Sequence, residues 1–467
     1  MRFDLRAWLT CLMFSVATAL SAPAQPATLP NWTIMVFMNG DNNLEPDALM
    51  NFRQMASVGG NKDVNVVVQF DRIGKYAHTQ PDWTQTLRFV VTKGMHPLPA
   101  EATQDIGEAD MGDPKVLSDF VKWARTNYPA QHYMLVIWDH GEGWRLFVAS
   151  LLNKQRAAVH SRALPLTDSA QAQIASAATL RHGYGTADKN GMSAPLTSAP
   201  ADGYRSASND ETDNDVLYDR EIEDGLKDAL QGAKLDVLAF DACLMSMVET
   251  GYAMRDSAKV LLASEELVPG PGWPYDDVLS AVEAQNPTDG AALAKIIVSA
   301  YKNRYQTIAP DTTFAAIDLS RISSIADRVS SLADALTPEL RTNLQGIVSA
   351  RDATSTYAPG YQFYHVDVRE FMEQLKGRTS SASVLNAISA AEAEINSAVI
   401  ANYAGADRQG PYGSFGLAIY FPATSANHVN DPYAEGGYEK DNTYYPVEFV
   451  QNFHWADFLH AYWIVVP

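Results

Sequence analysis

Three largely apolar runs of strand length, each ending abruptly in polar residues, constrain the fold of this chain most. They occupy residues 32–38, 133–138 and 235–240. Apolar side chains on both alternating faces are typical of strands buried on both sides of a parallel sheet. Helical patterns separate the runs, and one of them opens with Asp113 as N-cap. The alternation predicts an α/β/α sandwich built on a mostly parallel sheet, with a smaller, mostly helical C-terminal region.

The regular alternation fails between residues 146 and 210, which are rich in Ala, Ser, Thr and Gly and carry few apolar anchors. Connections this long are uncommon in compact domains, so we interpret the segment as a flexible or processed insertion. We predict one α/β domain over residues 25–290 that contains this insertion. Residues 291–467 read as more helical, and we predict that they form a mixed α/β region packed on that domain.

The first 24 residues have the order of a secretory signal. Charged residues come first, an apolar run extends from Ala7 to about Leu20, and small residues place the cleavage site between Ser21 and Ala24. No later segment approaches the roughly 18 continuous apolar residues of a membrane-spanning helix. We therefore predict an exported protein, periplasmic or extracellular, with no membrane span.

Cysteine content and charge narrow the function classes. Cys11 lies in the predicted leader, which leaves Cys243 as the single cysteine of the mature chain. A free thiol in an exported protein indicates that the thiol has a function. The formal net charge of −20 argues against nucleic acid as a partner, because nucleic-acid binding rewards basic patches. The same charge fits a soluble protein that attracts cationic substrates or metal ions.

Three polar loops follow the predicted strands directly, at residues 39–43, 139–144 and 241–243. Ligands of an open α/β sheet bind beyond the carboxyl ends of its strands, so these loops form the candidate site. The second loop contains His140 and the third contains Cys243. Among the ten histidines, His140 is the one whose position fits a strand end beside the thiol.

A His–Cys pair at neighbouring strand ends has the groups that thiol catalysis needs, because the base takes the thiol proton and the thiolate attacks a carbonyl carbon. Cys243 stands where a helical pattern begins, and a helix N-terminus favours thiolate. The backbone N–H groups of Gly141 and Cys243 are candidate donors to a developing oxyanion. The alternative is that Cys243 is a small buried hydrophobic residue, the commoner fate of a single cysteine.

Seven short motifs occur in one order along the chain. They occupy residues 38–44, 111–114, 139–141, 241–243, 263–266, 269–273 and 416–422. The ordered set resembles the clostripain family of cysteine peptidases, which is related in fold to caspases, gingipains and legumains. The resemblance covers residues 32–145 and 210–285 strongly and the remainder weakly. It implies a caspase-like catalytic domain with His140 and Cys243 as a dyad, no third orienting residue and no required cofactor.

The resemblance also implies a role for Asp241, since the aspartate of the Asp-Ala-Cys motif is linked to Arg or Lys preference at P1. A carboxylate beside a thiol raises the thiol pKa, so we interpret Asp241 as a residue of the substrate pocket that pairs with a cationic side chain. The alternative is that Asp241 caps the following helix. Pro271 stands where basic-specific relatives carry an acidic residue. Glu265 or Glu266 could restore this charge, and Asn39 is a further candidate substrate-binding residue.

Calcium dependence is known in part of the family, and the acidic run 209–215 could supply oxygen ligands. The run lacks the loop glycine and terminal glutamate of an EF-hand, so a solvated acidic stretch is the favoured interpretation. The sequence has no Cys/His cluster for zinc and no glycine-rich nucleotide motif. We predict no structural or catalytic metal, with Ca²⁺ kept as an open alternative.

Taken together, the residues and the resemblance predict a secreted endopeptidase that cuts proteins or peptides after Arg or Lys at P1. Clostripain-like enzymes are often cut between the histidine and cysteine motifs, and the insertion carries suitable basic residues at Lys154, Arg156, Arg162, Arg181, Lys189 and Arg205. We therefore expect a monomer or a self-cleaved two-chain form. Two alternatives remain: a catalytically silent exported binding protein of the same fold, and a thiol-dependent acyl or peptide transferase.

Overall fold

The computed structural model describes residues 29–79, 81–144, 207–359, 363–409, 413–431, 438–441 and 447–467. The predicted leader, residue 145 and residues 146–206 of the predicted insertion lie outside this range. The last four residues of that insertion, 207–210, are a buried strand.

Thirteen strands and thirteen helices are formed by the described residues. The strands are β1 Trp32–Gly40, β2 Val64–Arg72, β3 Leu87–Val90, β4 Gln104–Asp105, β5 His132–Trp138, β6 Ala207–Asp210, β7 Asp215–Leu217, β8 Leu235–Asp241, β9 Ala258–Ala263, β10 Thr313–Asp318, β11 His365–Asp367, β12 Val399–Ala404 and β13 Ala418–Tyr420. The helices are α1 Glu45–Val58, α2 Pro114–Asn127, α3 Asp219–Leu230, α4 Val248–Met254, α5 Tyr275–Gln285, α6 Gly290–Tyr305, α7 Ile322–Glu339, α8 Leu344–Ala353, α9 Val368–Lys376, α10 Ala382–Ala398, α11 Ser425–Val429, α12 Glu448–Asn452 and α13 Trp455–Val465.

Nine of the described strands form one mixed sheet in the order β12-β10-β9-β8-β5-β1-β2-β3-β4. The five central strands, from β9 to β2, run parallel, and the pairings at both edges are antiparallel. Short antiparallel pairs are added by β11 with β13 and by β6 with β7. The predicted mostly parallel sheet is confirmed.

The register of the central strands aligns their carboxyl ends. Met38 of β1 lies opposite Trp138 of β5, and Trp138 lies opposite Asp241 of β8. The loops that follow these residues therefore leave the sheet side by side at one edge. This alignment brings His140 and Cys243 together, although about a hundred residues separate them in sequence.

Helices cover both faces of the sheet. Met35 and Phe37 face one layer, which contains α2, α3, α4 and α7. Val36 and Met38 face the other layer, which contains α1, α5 and α6. Alternate residues of one continuous apolar strand thus serve both cores, which explains why the sequence shows unbroken apolar runs rather than an apolar–polar alternation.

The chain after residue 290 contributes to the same sheet. Strand β10 pairs with β9, and β12 pairs with β10. The division of the chain at residue 290 stays a prediction, with two strands of the later region continuing the sheet. No helix of the described residues is both long enough and apolar enough to cross a membrane.

One predicted helix differs in the structure. The sequence predicts a single helix over residues 447–463, whereas the structure has α12 and α13 separated by an extended residue, Phe453, with φ −128° and ψ 170°. The break lets His454 N donate to Ser330 Oγ at 3.0 Å and turns the apolar residues of α13 onto the C-terminal core.

Candidate active site

A cavity of about 190 Å³ opens at the carboxyl edge of the sheet, between the loops that follow β1, β5, β8 and β9. It is lined by Asn43, Leu44, Trp138, Asp139, His140, Gly141, Glu142, Asp241, Cys243, Leu267, Val268, Pro269, Gly270, Gly272 and Phe363. Of the predicted site residues, His140, Gly141, Asp241 and Cys243 meet here. No lysine or arginine lines the cavity in the part of the chain that the structure describes.

The imidazole of His140 is half-buried and oriented by a neighbouring loop. Its Nε2 lies 2.9 Å from Asn43 Oδ1, and its backbone N–H donates to Asp139 Oδ1 at 2.6 Å. Burial lowers the pKa of His140 to about 3. The ring is therefore neutral at physiological pH before substrate binds.

The buried carboxylate of Asp139 fixes the loop that carries His140. It accepts hydrogen bonds from Asn42 Nδ2 at 2.8 Å, from the backbone N–H of Asn209 and from the backbone N–H of His140. Burial raises the pKa of Asp139 well above its usual value, against the lowering effect of these bonds. Asp139 thus joins three chain segments behind the imidazole.

The thiol of Cys243 is half-buried in a turn rather than at a helix N-terminus. Helix α4 begins five residues later at Val248, and Leu244 has a positive φ of 62°. The predicted helix-dipole stabilisation of thiolate is therefore wrong. Burial raises the pKa of the Cys243 thiol to about 12, with smaller contributions from nearby carboxylates, while the N–H of Val268 donates to Sγ at 3.2 Å.

Gly141 brings two backbone segments into close contact. A Cβ at this position would lie 2.3 Å from the carbonyl oxygen of Cys243 and 2.8 Å from its nitrogen. Neither Gly141 N nor Cys243 N donates to a backbone carbonyl among the described residues. The two N–H groups that were predicted to form an oxyanion site are thus neighbours beside the thiol.

Asp241 lies at the bottom of the cavity and is almost fully buried. Its Oδ2 accepts from Trp273 N at 3.0 Å and from the hydroxyl of Tyr275 at 2.9 Å, while its Oδ1 has no hydrogen-bond partner among the described residues. Burial raises the pKa of Asp241 to about 7. Because these bonds and the late start of α4 leave no helix for it to cap, the helix-cap alternative is excluded.

The structure does not bring Asn39 and Glu265 to the cavity. Asn39 is a buried residue near the end of β1, and its Nδ2 donates to Ser208 Oγ at 3.1 Å. Glu265 is buried beneath the C-terminal region, where it accepts from the Tyr357 hydroxyl at 3.0 Å and from Gly416 N at 2.9 Å. Both side chains connect neighbouring segments instead of facing the thiol.

Asn43 and Phe363 are among the cavity residues to which the sequence analysis assigned no role. Asn43, which contacts the imidazole, lies in the first strand-end loop, so its position was a usable signal. Phe363 comes from the weakly patterned C-terminal region, and no motif there distinguished it.

Two groups of three acidic side chains lie near the loops that carry the site. Carboxylate oxygens of Asp41, Asp71 and Glu108 lie within 4.8 Å of one another, and so do those of Asp110, Asp210 and Asp213. Asp71 is fully buried, its Oδ1 accepts from the Thr86 hydroxyl, and its Oδ2 has no hydrogen-bond partner among the described residues. Burial and the neighbouring charges raise the pKa of Asp71 well above its usual range. An all-oxygen donor set with an unpartnered buried carboxylate fits a hard divalent cation.

Comparisons with known proteins identify the family of this chain. The model of the clostripain family, peptidase family C11, matches residues 36–156 and 197–463. Clostripain from Hathewaya histolytica is 30% identical over 276 residues, which are 55% of this chain and 43% of that protein. The match thus spans less than half the length of this curated relative.

Solved structures show the fold. A secreted C11 cysteine protease from Bacteroides thetaiotaomicron, in complex with an irreversible peptide inhibitor, has a TM-score of 0.55 at 18% identity and covers 90% of this chain and 99% of its own. An inactive zymogen C11 protease from Parabacteroides distasonis has a TM-score of 0.55 at 18% identity, covering 93% and 99%. These likenesses confirm the predicted caspase-like α/β/α fold.

Proposed function

Because this chain belongs to the clostripain family of cysteine peptidases, we propose that it is an exported endopeptidase with Cys243 as nucleophile and His140 as proton partner. One observation supports this most: the single thiol of the mature chain and the one strand-end histidine line the same cavity. The Gly141 and Cys243 N–H groups beside them provide donors where an oxyanion would form. Export is supported by the leader-like first 24 residues and by the structurally similar Bacteroides protease, which is a secreted protein.

The chemical step starts from a neutral pair. The raised thiol pKa and the lowered imidazole pKa keep both groups neutral at rest, so the thiol proton moves to His140 only as sulfur attacks the scissile carbonyl carbon. The oxyanion is held by the two backbone N–H groups. His140 then gives its proton to the leaving amine as the C–N bond breaks. Water cleaves the resulting thioester, which releases the acid and restores the thiol.

Asn43 sets the tautomer of the imidazole in this scheme. If its Oδ1 accepts from Nε2–H, as the 2.9 Å contact indicates, then Nδ1 carries the lone pair that takes the thiol proton. Asn43 is thus an orienting residue, although the resemblance implied that no third residue is needed.

The substrate preference that we propose is Arg or Lys at P1. Glu266, Asp241 and Glu142 each raise the pKa of the thiol, so a cation bound beside Asp241 would offset their charge and favour thiolate. We also propose self-cleavage within the basic residues of the insertion, leaving two associated chains.

We expect fluorogenic peptides with Arg or Lys at P1 to be hydrolysed with kcat/KM about tenfold or more above peptides with Ala, Leu or Asp there. The buried oxygen of Asp241 that has no hydrogen-bond partner favours binding of a cationic side chain. Each factor of ten in kcat/KM needs about 1.4 kcal/mol. Initial rates over the five-peptide panel measure this. Comparable turnover of neutral P1 peptides would refute the basic preference while leaving the peptidase proposal intact.

We further propose that the acid cluster beside the site binds Ca²⁺, through Asp71 and its neighbours. The dyad itself needs no cofactor, and the cation would act by neutralising buried carboxylates. Its link to catalysis would be structural. The carboxylate of Asp41 accepts from Thr212 N at 3.1 Å, and Asn209 of the same β6–β7 hairpin binds the Asp139 carboxylate behind His140.

Without calcium, thermal stability should fall as pH rises from 6 to 8.5. Burial raises the pKa of Asp210 to about 8 and that of Asp110 to about 7, whereas an unfolded aspartate titrates near about 4. A carboxyl group with a raised folded pKa stabilises the fold most below its unfolded pKa, and that contribution is lost as pH rises through the folded value. Calcium should reverse the loss at pH 8, adding about 2.7 kcal/mol to the unfolding free energy at 100 times its Kd.

Thermal melts and calorimetric titration of the Cys243→Ala protein, with and without EDTA, measure both effects independently of activity. Asp71→Asn should remove the calcium response, and Asp256→Asn, with a side chain that is 75% exposed, should keep it. A Tm that is indifferent to calcium at pH 8, with no binding heat, would contradict the calcium site.

A further inference from the structure

An acidic side chain of helix α1 lies against the loop 269–275, part of which lines the cavity. Asp47, Asn51 and Gln54 face the loop 269–275 along one side of this helix. Asn51 Nδ2 donates to Pro271 O at 2.9 Å, and Gln54 Oε1 accepts from Tyr275 N at 3.4 Å. These contacts fix the loop against α1, so the position of Asp47 relative to the cavity is set by the fold.

Asp47 lies close to the cavity-lining part of that loop. A Cβ added to Gly270 would lie 3.8 Å from Asp47 Oδ2, with no other atom within 4 Å. The Asp47 carboxylate thus lies in contact range of Gly270, a residue that lines the cavity. Asp241 approaches the same loop two residues later, since a Cβ on Gly272 would lie 2.9 Å from Asp241 Oδ2.

Neither carboxylate has a cationic partner among the described residues. No hydrogen bond or ion pair of the Asp47 side chain occurs there, and Asp241 keeps one oxygen without a hydrogen-bond partner. Burial raises the pKa of Asp47 to about 6, and Asp47 in turn contributes to the raised pKa of Asp241. Two carboxylates, one of which raises the pKa of the other, beside a cavity that no described lysine or arginine lines, are stabilised by an incoming cation.

We propose that Asp47 is the second acidic residue of the P1 pocket, so that a cationic P1 side chain binds between Asp47 and Asp241. The inference rests on the proposed peptidase function and deepens it. It also accounts for Pro271, because the charge expected within the loop 269–273 is supplied by α1 instead. Glu265, which the sequence suggested as a source of this charge, instead accepts hydrogen bonds from Tyr357 and Gly416.

A merely structural role for Asp47 is the competing explanation. Asp47 belongs to the first turn of α1, where an acidic residue interacts favourably with the helix dipole. Loss of that interaction would lower stability and affect all substrates equally. The two roles therefore differ in their effect on discrimination between charged and neutral P1 side chains.

The test compares peptides with Arg or its uncharged isostere citrulline at P1. For Asp47→Asn, the ratio of kcat/KM values for Arg over citrulline should fall about 10- to 100-fold, as expected when one carboxylate of a partly buried ion pair is neutralised. Asp241→Asn should lower the ratio at least as much. Asp277→Asn is the control, since its carboxylate is 53% exposed and pairs with Arg304; the ratio should stay at the wild-type value.

The outcomes separate this inference from the proposed function. If wild type cleaves neither peptide, the peptidase proposal fails. If wild type prefers Arg, Asp241→Asn loses the preference and Asp47→Asn keeps it, the peptidase proposal stands and the role of Asp47 is refuted. An equal fall for both peptides in Asp47→Asn, with the ratio unchanged, would assign Asp47 to the helix alone and would also overturn the inference.

Discussion

Cys243→Ala should abolish peptide hydrolysis, lowering kcat/KM by about 10⁴-fold or more, the order of loss seen when a catalytic nucleophile or its base is removed. The thiol is the group that attacks the substrate carbonyl, and the mature chain has no second cysteine to replace it. His140→Ala should cause a loss of similar order, because the two groups act as a unit. The same two variants should remain a single chain on denaturing gels, whereas wild type should separate into two fragments on incubation.

The controls for this experiment distinguish the alternative functions. His96→Ala changes an exposed loop histidine and should keep wild-type rates and fragments. Retention of hydrolysis by Cys243→Ala would identify another nucleophile. A wild-type protein that binds peptides as tightly as Cys243→Ala and cleaves none would be the silent binding protein, and ligated rather than hydrolysed products in the presence of an amine acceptor would indicate a transferase.

Much of the site was predictable because it depends on where strands end. The apolar runs stop at Met38, Trp138 and Phe240, within one residue of the row that the register aligns across the sheet. Ends of neighbouring parallel strands meet at one edge. His140, Gly141, Asp241 and Cys243 could therefore be grouped from sequence alone.

The failures arise where distant packing decides the local conformation. Residues 244–247 have apolar spacing that fits a helix, yet Met247 bridges to Ala418 and Ser246 O accepts from Ala418 N at 2.8 Å. Pairing with β13, some 170 residues later, thus holds the end of this segment in an extended conformation, so that α4 begins only at Val248. Hydrogen-bond partners from the C-terminal region likewise hold Glu265 away from the cavity. No local sequence pattern indicates these partners.

The position of Asp47 could not be predicted from the sequence either, because distant packing brings it towards the cavity. In the sequence it is an ordinary acidic residue of a first helical turn, about 190 residues from Asp241. Only the packing of α1 against the loop 269–275 makes it a neighbour of the cavity. Charge within a pocket can therefore be retained while the motif that usually carries it changes.

Gly141→Ala should lower kcat by about 10²- to 10³-fold, the usual cost of losing an oxyanion donor. The added methyl carbon would lie 2.3 Å from the Cys243 carbonyl oxygen, so the two backbone segments must separate and their N–H groups must lose alignment. Gly377→Ala is the matched control, because a Cβ there meets no atom within 4 Å and the backbone has an ordinary φ of −78°.

The decisive measurement for Gly141→Ala is a comparison of kcat with the affinity for a peptide aldehyde, whose adduct with the thiol carries the oxyanion. Both should fall together while KM for the parent peptide changes little, because an interaction made only in the transition state has been removed. Alkylation of Cys243 by iodoacetamide and the melting temperature establish that the thiol and the fold persist. Wild-type kcat and aldehyde affinity in a folded Gly141→Ala protein would show that the backbone N–H of Gly141 does not stabilise the transition state.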